Sequence, residues 1–208
     1  MARGAGDLAG GKVSPGMEEL LSPELAEYQK QFTANRREAA VLCSGLSTAQ
    51  FNWRPEPGRW SIAECLLHLN VGADVFTRQI EIAAERGRVR GLLATGPFRY
   101  GFLSRWLLGS LEPPVRTRYK TPRQFYPAPG VQHSVTDVLR QFESAGRRWD
   151  ECLRRANGLD LARVRVPSPA VPLLRFQLGA LFAGQAAHER RHLWQGKQVR
   201  AASGFPAT

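Results

Sequence analysis

The stretch "LRFQLGALFAGQAAHERRHLWQGKQV", residues 174–199, decides the fold. Leu174, Leu178, Leu181, Gln185, His188, His192, Gln195 and Val199 follow one another at alternating steps of four and three. That spacing is the inward seam of an α-helix. The seam is apolar at its start and turns polar in the middle, where Gln185, His188, His192 and Gln195 form a row. His188 and His192 differ by about 40° around the axis and stand one turn apart, so both face the core. Arg190 falls on the opposite side and Arg191 on the flank.

Three more helices surround this one in the reading. Ser22-Pro23-Glu24 supplies a cap, a proline at the first helical position and a first-turn acid. From there Leu25, Tyr28, Phe32, Asn35, Ala39, Leu42 and Leu46 mark a seam, with Gly45 as the stop. "SIAE", 61–64, is a capping box that opens a second helix running to about residue 87. "SVTD", 134–137, opens a third, with Val135, Val138, Phe142, Ala145, Trp149, Cys152 and Ala156 inward and Asn157-Gly158 closing it. The expected spans are 23–45, 62–86, 135–157 and 173–199. Strand signals are few; "ARVRV", 162–166, alternates but runs at once into Pro167 and Pro169. The fold class is therefore all-α, a four-helix bundle with the second and fourth helices side by side.

Residues 88–132 are a long connection between the second and third helices, in which "FRYGFLSRWLLGSL", 98–111, predicts a short extra helix. A connection of that length lets the two helices it joins run parallel. Residues 1–17, rich in Gly and Ala, read as a disordered leader without the apolar core of a signal peptide. The domain is then 18–208. A chain of 208 residues buries a core without staples. Its formal charge of +11, from 29 basic against 18 acidic residues, raises nucleic acid or an anionic partner as a class. The charge is nearly all arginine and dispersed, with no zinc finger and no basic stripe among aromatics, so no nucleic acid is expected. No apolar run reaches about 18 residues, so no spanning helix is expected. Cys43, Cys65 and Cys152 have no metal-like spacing and read as buried thiols of a cytoplasmic protein.

His188-Glu189-Arg190-Arg191-His192 spells the helix of a zinc protease. Such a site needs a third protein ligand. No His follows His192 and no Asp or Glu follows Glu189. Peptidase activity is therefore not expected. Of the other histidines, His133 precedes the Ser134 cap and reads as a loop contact. His68 lies within the apolar arc of the second helix, made by Ile62, Cys65, Leu69, Gly72, Val75, Phe76, Gln79, Ile82 and Ala83, with Asn70, Asp74, Thr77 and Glu81 on the other side. Two histidines a turn apart satisfy each other or a water in one reading. In the other, His68, His188 and His192 make a three-His metal site with an open position.

"GRWSIAECLLHL", 58–69, followed by "HERRHLWQ", 188–195, resembles the DinB-like superfamily of four-helix-bundle proteins. Trp60, Ser61, Glu64, His68, Leu69, His188, His192, Leu193 and Gln195 carry the resemblance, over roughly residues 18–200. It implies that His68, His188 and His192 bind one divalent metal ion, zinc or nickel foremost, with iron or manganese as alternatives. It also implies chemistry on a thiol or water nucleophile: transfer of a low-molecular-weight thiol such as bacillithiol or mycothiol, or metal-dependent hydrolysis. A non-enzymatic, stress-related metal-binding bundle is the further alternative. The expected partners are a small-molecule substrate and a second copy of the chain, with no membrane.

Candidate catalytic residues are Gln195, which continues the histidine seam, and Glu189 as a general base, against its reading as a solvated or arginine-paired flank residue. Glu64, one turn before His68, reads either as an acid that orients that histidine or, as well or better, as the capping-box residue. Trp53 and Trp60 read as packing at the start of the second helix. Arg99, Arg105, Arg116, Arg118 and Arg123 offer charge for an anionic thiol, without any one singled out.

Overall fold

A computed structural model describes residues 20–115, 120–126, 131–169, 171 and 173–207. The notional leader and Arg116 and Arg118 lie outside the described residues, and the Arg105 side chain is likewise not described. Six α-helices are described: α1 Pro23–Cys43, α2 Thr48–Asn52, α3 Ile62–Val89, α4 Phe102–Leu111, α5 Val135–Ala156 and α6 Leu178–Arg200. A 3-10 turn covers Arg123–Phe125, and a small antiparallel ribbon pairs β1 Arg165–Pro167 with β2 Arg175–Gln177.

The four long helices form a ring in which α1 packs on α5 and α6, and α3 packs on the same two. Side-chain contacts give their directions. Asn70 bonds the Val138 carbonyl, Cys152 approaches that of Thr77, and Arg88 bonds those of Arg155 and Asn157. These pairs advance together, so α3 and α5 run parallel. Asn35 bonds the Ala186 carbonyl and Arg200 that of Leu42, so α1 and α6 also run parallel. Phe32 stacks on Trp149 with ring centroids 5.1 Å apart, while Arg36 pairs with Asp150 and Ser22 with Asn157. That order makes α1 and α5 antiparallel. The bundle is up-down-down-up, and the long connection between α3 and α5 is the crossover this requires.

The caps behave as their residue types dictate. Ser61 and Glu64 form a reciprocal capping box on α3, Ser134 caps α5, and Gly45 turns the chain out of α1 with φ 72°. A second capping box, Ser47 with Gln50, opens the short α2, which has no counterpart in the expected set. Cys43, Cys65 and Cys152 are buried free thiols.

Two expectations are corrected. The last helix begins at Leu178 rather than near residue 173, because Arg175–Gln177 is extended and pairs with β1. Pro167 is tolerated there because each strand of a two-stranded ribbon is an edge strand. On α3 the side away from the His68 arc meets a neighbour too: Asn70 and Thr77 are buried. Thr77 donates to the Ala73 carbonyl and Asn70 to that of Val138, so both lie in the contact with α5. Ile82, placed on the apolar arc, is exposed.

Candidate metal centre

The inward seams of α3 and α6 meet where those helices pack, and they bring His68, His188 and His192 together. One ring nitrogen from each lies within 4.8 Å of the other two. Nε2 of His188 is 3.2 Å from Nε2 of His68 and 3.1 Å from Nε2 of His192. Nδ1 of His68 lies 2.9 Å from the Phe125 carbonyl. A carbonyl only accepts, so His68 carries its proton on Nδ1 and presents a lone pair at Nε2.

Burial drives all three imidazoles toward the neutral form. The pKa of His68 is lowered by desolvation, against the pull of the Phe125 carbonyl. That of His188 is lowered to about 3, by desolvation and then by His68 and Arg191. His192 is likewise held well below the ordinary value by desolvation, its two histidine neighbours and Arg191.

Without an ion, at best one shared proton serves all three Nε2 atoms when the rings are neutral. Suppose Nε2 of His188 keeps a lone pair; it then faces the lone pair of His68 at hydrogen-bond distance. Suppose instead it carries the proton and serves both neighbours. The His192 proton then sits on Nδ1, which is buried without a hydrogen bond. The first arrangement opposes two buried lone pairs, and the second divides one proton between two acceptors. A cation taking all three Nε2 lone pairs removes the clash between them. The observed spacings also suit such an ion, because nitrogens about 2.0–2.1 Å from a tetrahedral zinc stand roughly 3.3 Å apart. The donor set therefore fits a divalent metal.

The rings form one wall of a cavity of about 660 Å³. Trp60 stacks on His192 with centroids 5.6 Å apart and planes 22° apart, and lies 5.0 Å from His68. Tyr126 meets Trp60 edge-on, and Phe76 and Phe125 continue the aromatic wall. Arg59, Lys120 and Arg191 also line the cavity; no carboxylate does among the described residues. Gln195 lines it and lies near enough to His192 to favour the charged imidazole slightly.

Glu189 is not a solvated flank residue. It is 6% exposed and turned to the far side of α6, where Oε2 accepts from Nδ2 of Asn35 at 2.9 Å. Burial pushes its carboxyl up to about 8, against the pull of Asn35, Arg36 and Arg190. It does not line the cavity. Arg191, on the flank, is buried as well, and Nη1 donates to the Ser110 carbonyl of α4 at 3.3 Å. Arg190 does face outward, where its guanidinium pairs with Glu112. The Glu64 carboxylate is occupied by Arg54, at 2.8 Å from Nε, and by the Ser61 amide, at 2.9 Å. Burial alone would raise its pKa, but Arg54 and the cap hold it below the usual range. His133 stays in its loop, its amide and carbonyl both bonded to the Asn52 side chain. Trp53 packs edge-on against Phe205 as a structural residue, whereas Trp60 belongs to the cavity. Of the crossover arginines, neither Arg99 nor Arg123 lines it.

Two contributors escape a reading by seams: the Phe125 carbonyl and the Trp60 ring. The first is backbone in a Pro-rich crossover and has no residue-type signal. The second had one, since a tryptophan just before a cap is free to fold over the helix it precedes.

No curated protein and no solved structure matches this chain. The model of the DinB superfamily matches residues 31–195, a span that holds the second half of α1, the three site histidines and the crossover. With most of its length matched, the chain belongs to the DinB superfamily.

Proposed function

We propose that the protein is a metal-dependent enzyme that activates a small thiol for transfer to an electrophilic small molecule. The carrying observation is the convergence of three neutral imidazole nitrogens on the wall of a cavity large enough for a substrate. His68, His188 and His192 hold the ion, and the Phe125 carbonyl fixes the tautomer of His68. A divalent ion there lowers the pKa of a bound thiol or water, so that a nucleophile forms near neutral pH. Trp60 shields His192 on one side and keeps the ring in place. Arg59, Lys120 and Arg191 favour an anionic substrate or thiol. Gln195 is a polar group within reach of His192 and the cavity.

Thiol transfer is preferred over hydrolysis on a specific point. Attack by water is commonly assisted by a carboxylate base. Glu189, the sole carboxylate of the histidine motif, is turned away to Asn35, and no other acid lines the cavity among the described residues. A thiol loses its proton far more readily than water and needs no such base. The free, buried cysteines accord with a reducing, cytoplasmic setting. No described helix is long and apolar enough to cross a membrane.

The test is a conjugation screen with metal-loaded protein, pairing low-molecular-weight thiols with electrophilic acceptors, beside a panel of ester and amide substrates. Metal-dependent thiol consumption that His188→Ala abolishes supports the reading. Hydrolysis without thiol consumption replaces it with the hydrolase. Metal binding with neither activity points to the non-enzymatic bundle.

A further inference from the structure

A second cleft lies at the other end of α3. His68 and Arg86 are 18 residues apart on that helix, or roughly 27 Å along the axis at 1.5 Å per residue. The cleft has a volume of about 300 Å³ and shares no residue with the metal cavity. Five arginines line it: Arg86 in the last turn of α3, Arg90 at its C-cap, Arg163 before β1, Arg165 on β1 and Arg175 on β2. Glu85 is the single acid.

The fold brings these arginines together by two local devices. Gly87 lets the 163–165 segment lie directly on α3, since a Cβ there would stand 2.9 Å from Cγ2 of Val164. The ribbon register does the rest. Val166 pairs with Phe176 and is buried, so Arg165 and Arg175 share the opposite, outward face. Among the described residues none of the five makes an ion pair, although arginines elsewhere on the surface pair with Glu143, Glu151, Asp137 and Asp74. Two of them have an internal explanation as cations near the C-terminus of α3. Arg163, Arg165 and Arg175 have none.

A concentration of guanidinium forks without carboxylates is matched by phosphate groups, which accept two N–H bonds from one arginine. The floor between the arginines is apolar, formed by Ile82, Leu92 and Val164. Ile82 is 47% exposed and Val89, about two turns further along α3, 80%. A bare inorganic anion would leave that floor uncovered. We infer that the cleft between α3 and the β-ribbon is a binding site for a small molecule that carries two or more phosphates beside a flat apolar portion, the chemistry of a nucleoside di- or triphosphate. The site is independent of the metal centre and of the reaction proposed for it.

The experiment is calorimetric titration of the full chain with ATP and, separately, with inorganic triphosphate, at an ionic strength of about 0.15 M. Chelator-treated and metal-loaded protein should bind ATP alike. ATP should bind more tightly than triphosphate, since only ATP covers the floor. Arg163→Gln/Arg175→Gln should weaken ATP binding at least about tenfold, the worth of one charge-assisted bond. Arg140→Gln/Arg147→Gln removes the same charge from α5 and should leave binding unchanged; Arg165→Gln alone serves if the double variant misfolds. Equal losses in the two double variants would reduce the cleft to diffuse charge and overturn the inference. So would binding of neither probe, binding of triphosphate as tightly as ATP, or binding confined to a single-stranded oligonucleotide or to vesicles of anionic lipid.

Discussion

Phe125→Ala separates the role of the crossover from that of the bundle. Phe125 is 4% exposed, yet it belongs to neither of the two core clusters. Its ring lies 6.3 Å from that of Phe76 and 6.3 Å from that of His68. Its carbonyl accepts the His68 Nδ1 proton. Truncation therefore loosens the 3-10 turn and moves the carbonyl without opening a hole among the main helices. Loss of a partner that orients a metal-bound histidine typically costs 10–100-fold in metal affinity. The stability cost should fall below the 3–5 kcal/mol of a core Phe→Ala, since the turn can relax toward solvent. Phe32→Ala is the complement. Phe32 is fully buried and stacked on Trp149, so it should lose about 3–5 kcal/mol. At about 2–4 °C per kcal/mol for a chain of this size, that is a fall of roughly 10 °C in Tm. Competition against a chromophoric chelator gives the affinities, and thermal unfolding of the metal-free chain gives the stabilities. If Phe125→Ala keeps wild-type metal affinity while Phe32→Ala loses it at a temperature where both are folded, the crossover has no part in the site.

Glu189→Gln keeps an acceptor for Asn35 and should retain metal binding and turnover; a large fall in kcat with the metal still bound would restore Glu189 as a general base. The three thiols should be silent toward a disulfide reagent at pH 8 in the native chain and react only on unfolding. Burial pushes Cys43 and Cys152 up to about 12 and raises Cys65 as well. Because those folded-state values lie above the unfolded one, their contribution leaves stability untouched below the ordinary thiol pKa near 8.5. Stability is then lost progressively as pH rises toward 12, which alkaline unfolding curves of single Cys→Ala variants would show as a later midpoint. Rapid labelling of any one thiol at pH 8 would contradict the packing around it.

The bundle was legible because its seams obey one period. Every inward position of α1 from Leu25 to Leu42 is buried, and the α5 seam fails only at Val135, which is partly exposed. The start of α6 was not legible. Leu174 fits the helical period by chance, while pairing with the 165–167 strand decides the backbone of 175–177. Glu189 was misjudged for a related reason. A helix between two others has two buried sides, and a charged residue on the second side finds its partner, here Asn35, on a helix that the local pattern does not reveal. The same holds for Asn70 and Thr77 against α5. The histidine triad could be read because its members lie on seams. The Phe125 carbonyl could not, because any residue supplies one.

The most direct test of the central claim is metal content by plasma emission spectroscopy, on untagged protein, for the natural chain and four single histidine variants. The account predicts about one divalent ion per chain, as for a single three-imidazole site. His68→Ala, His188→Ala and His192→Ala should each lose it at the same chelator concentration that leaves His133→Ala loaded. Binding that survives His68→Ala but is abolished by His133→Ala would contradict the account.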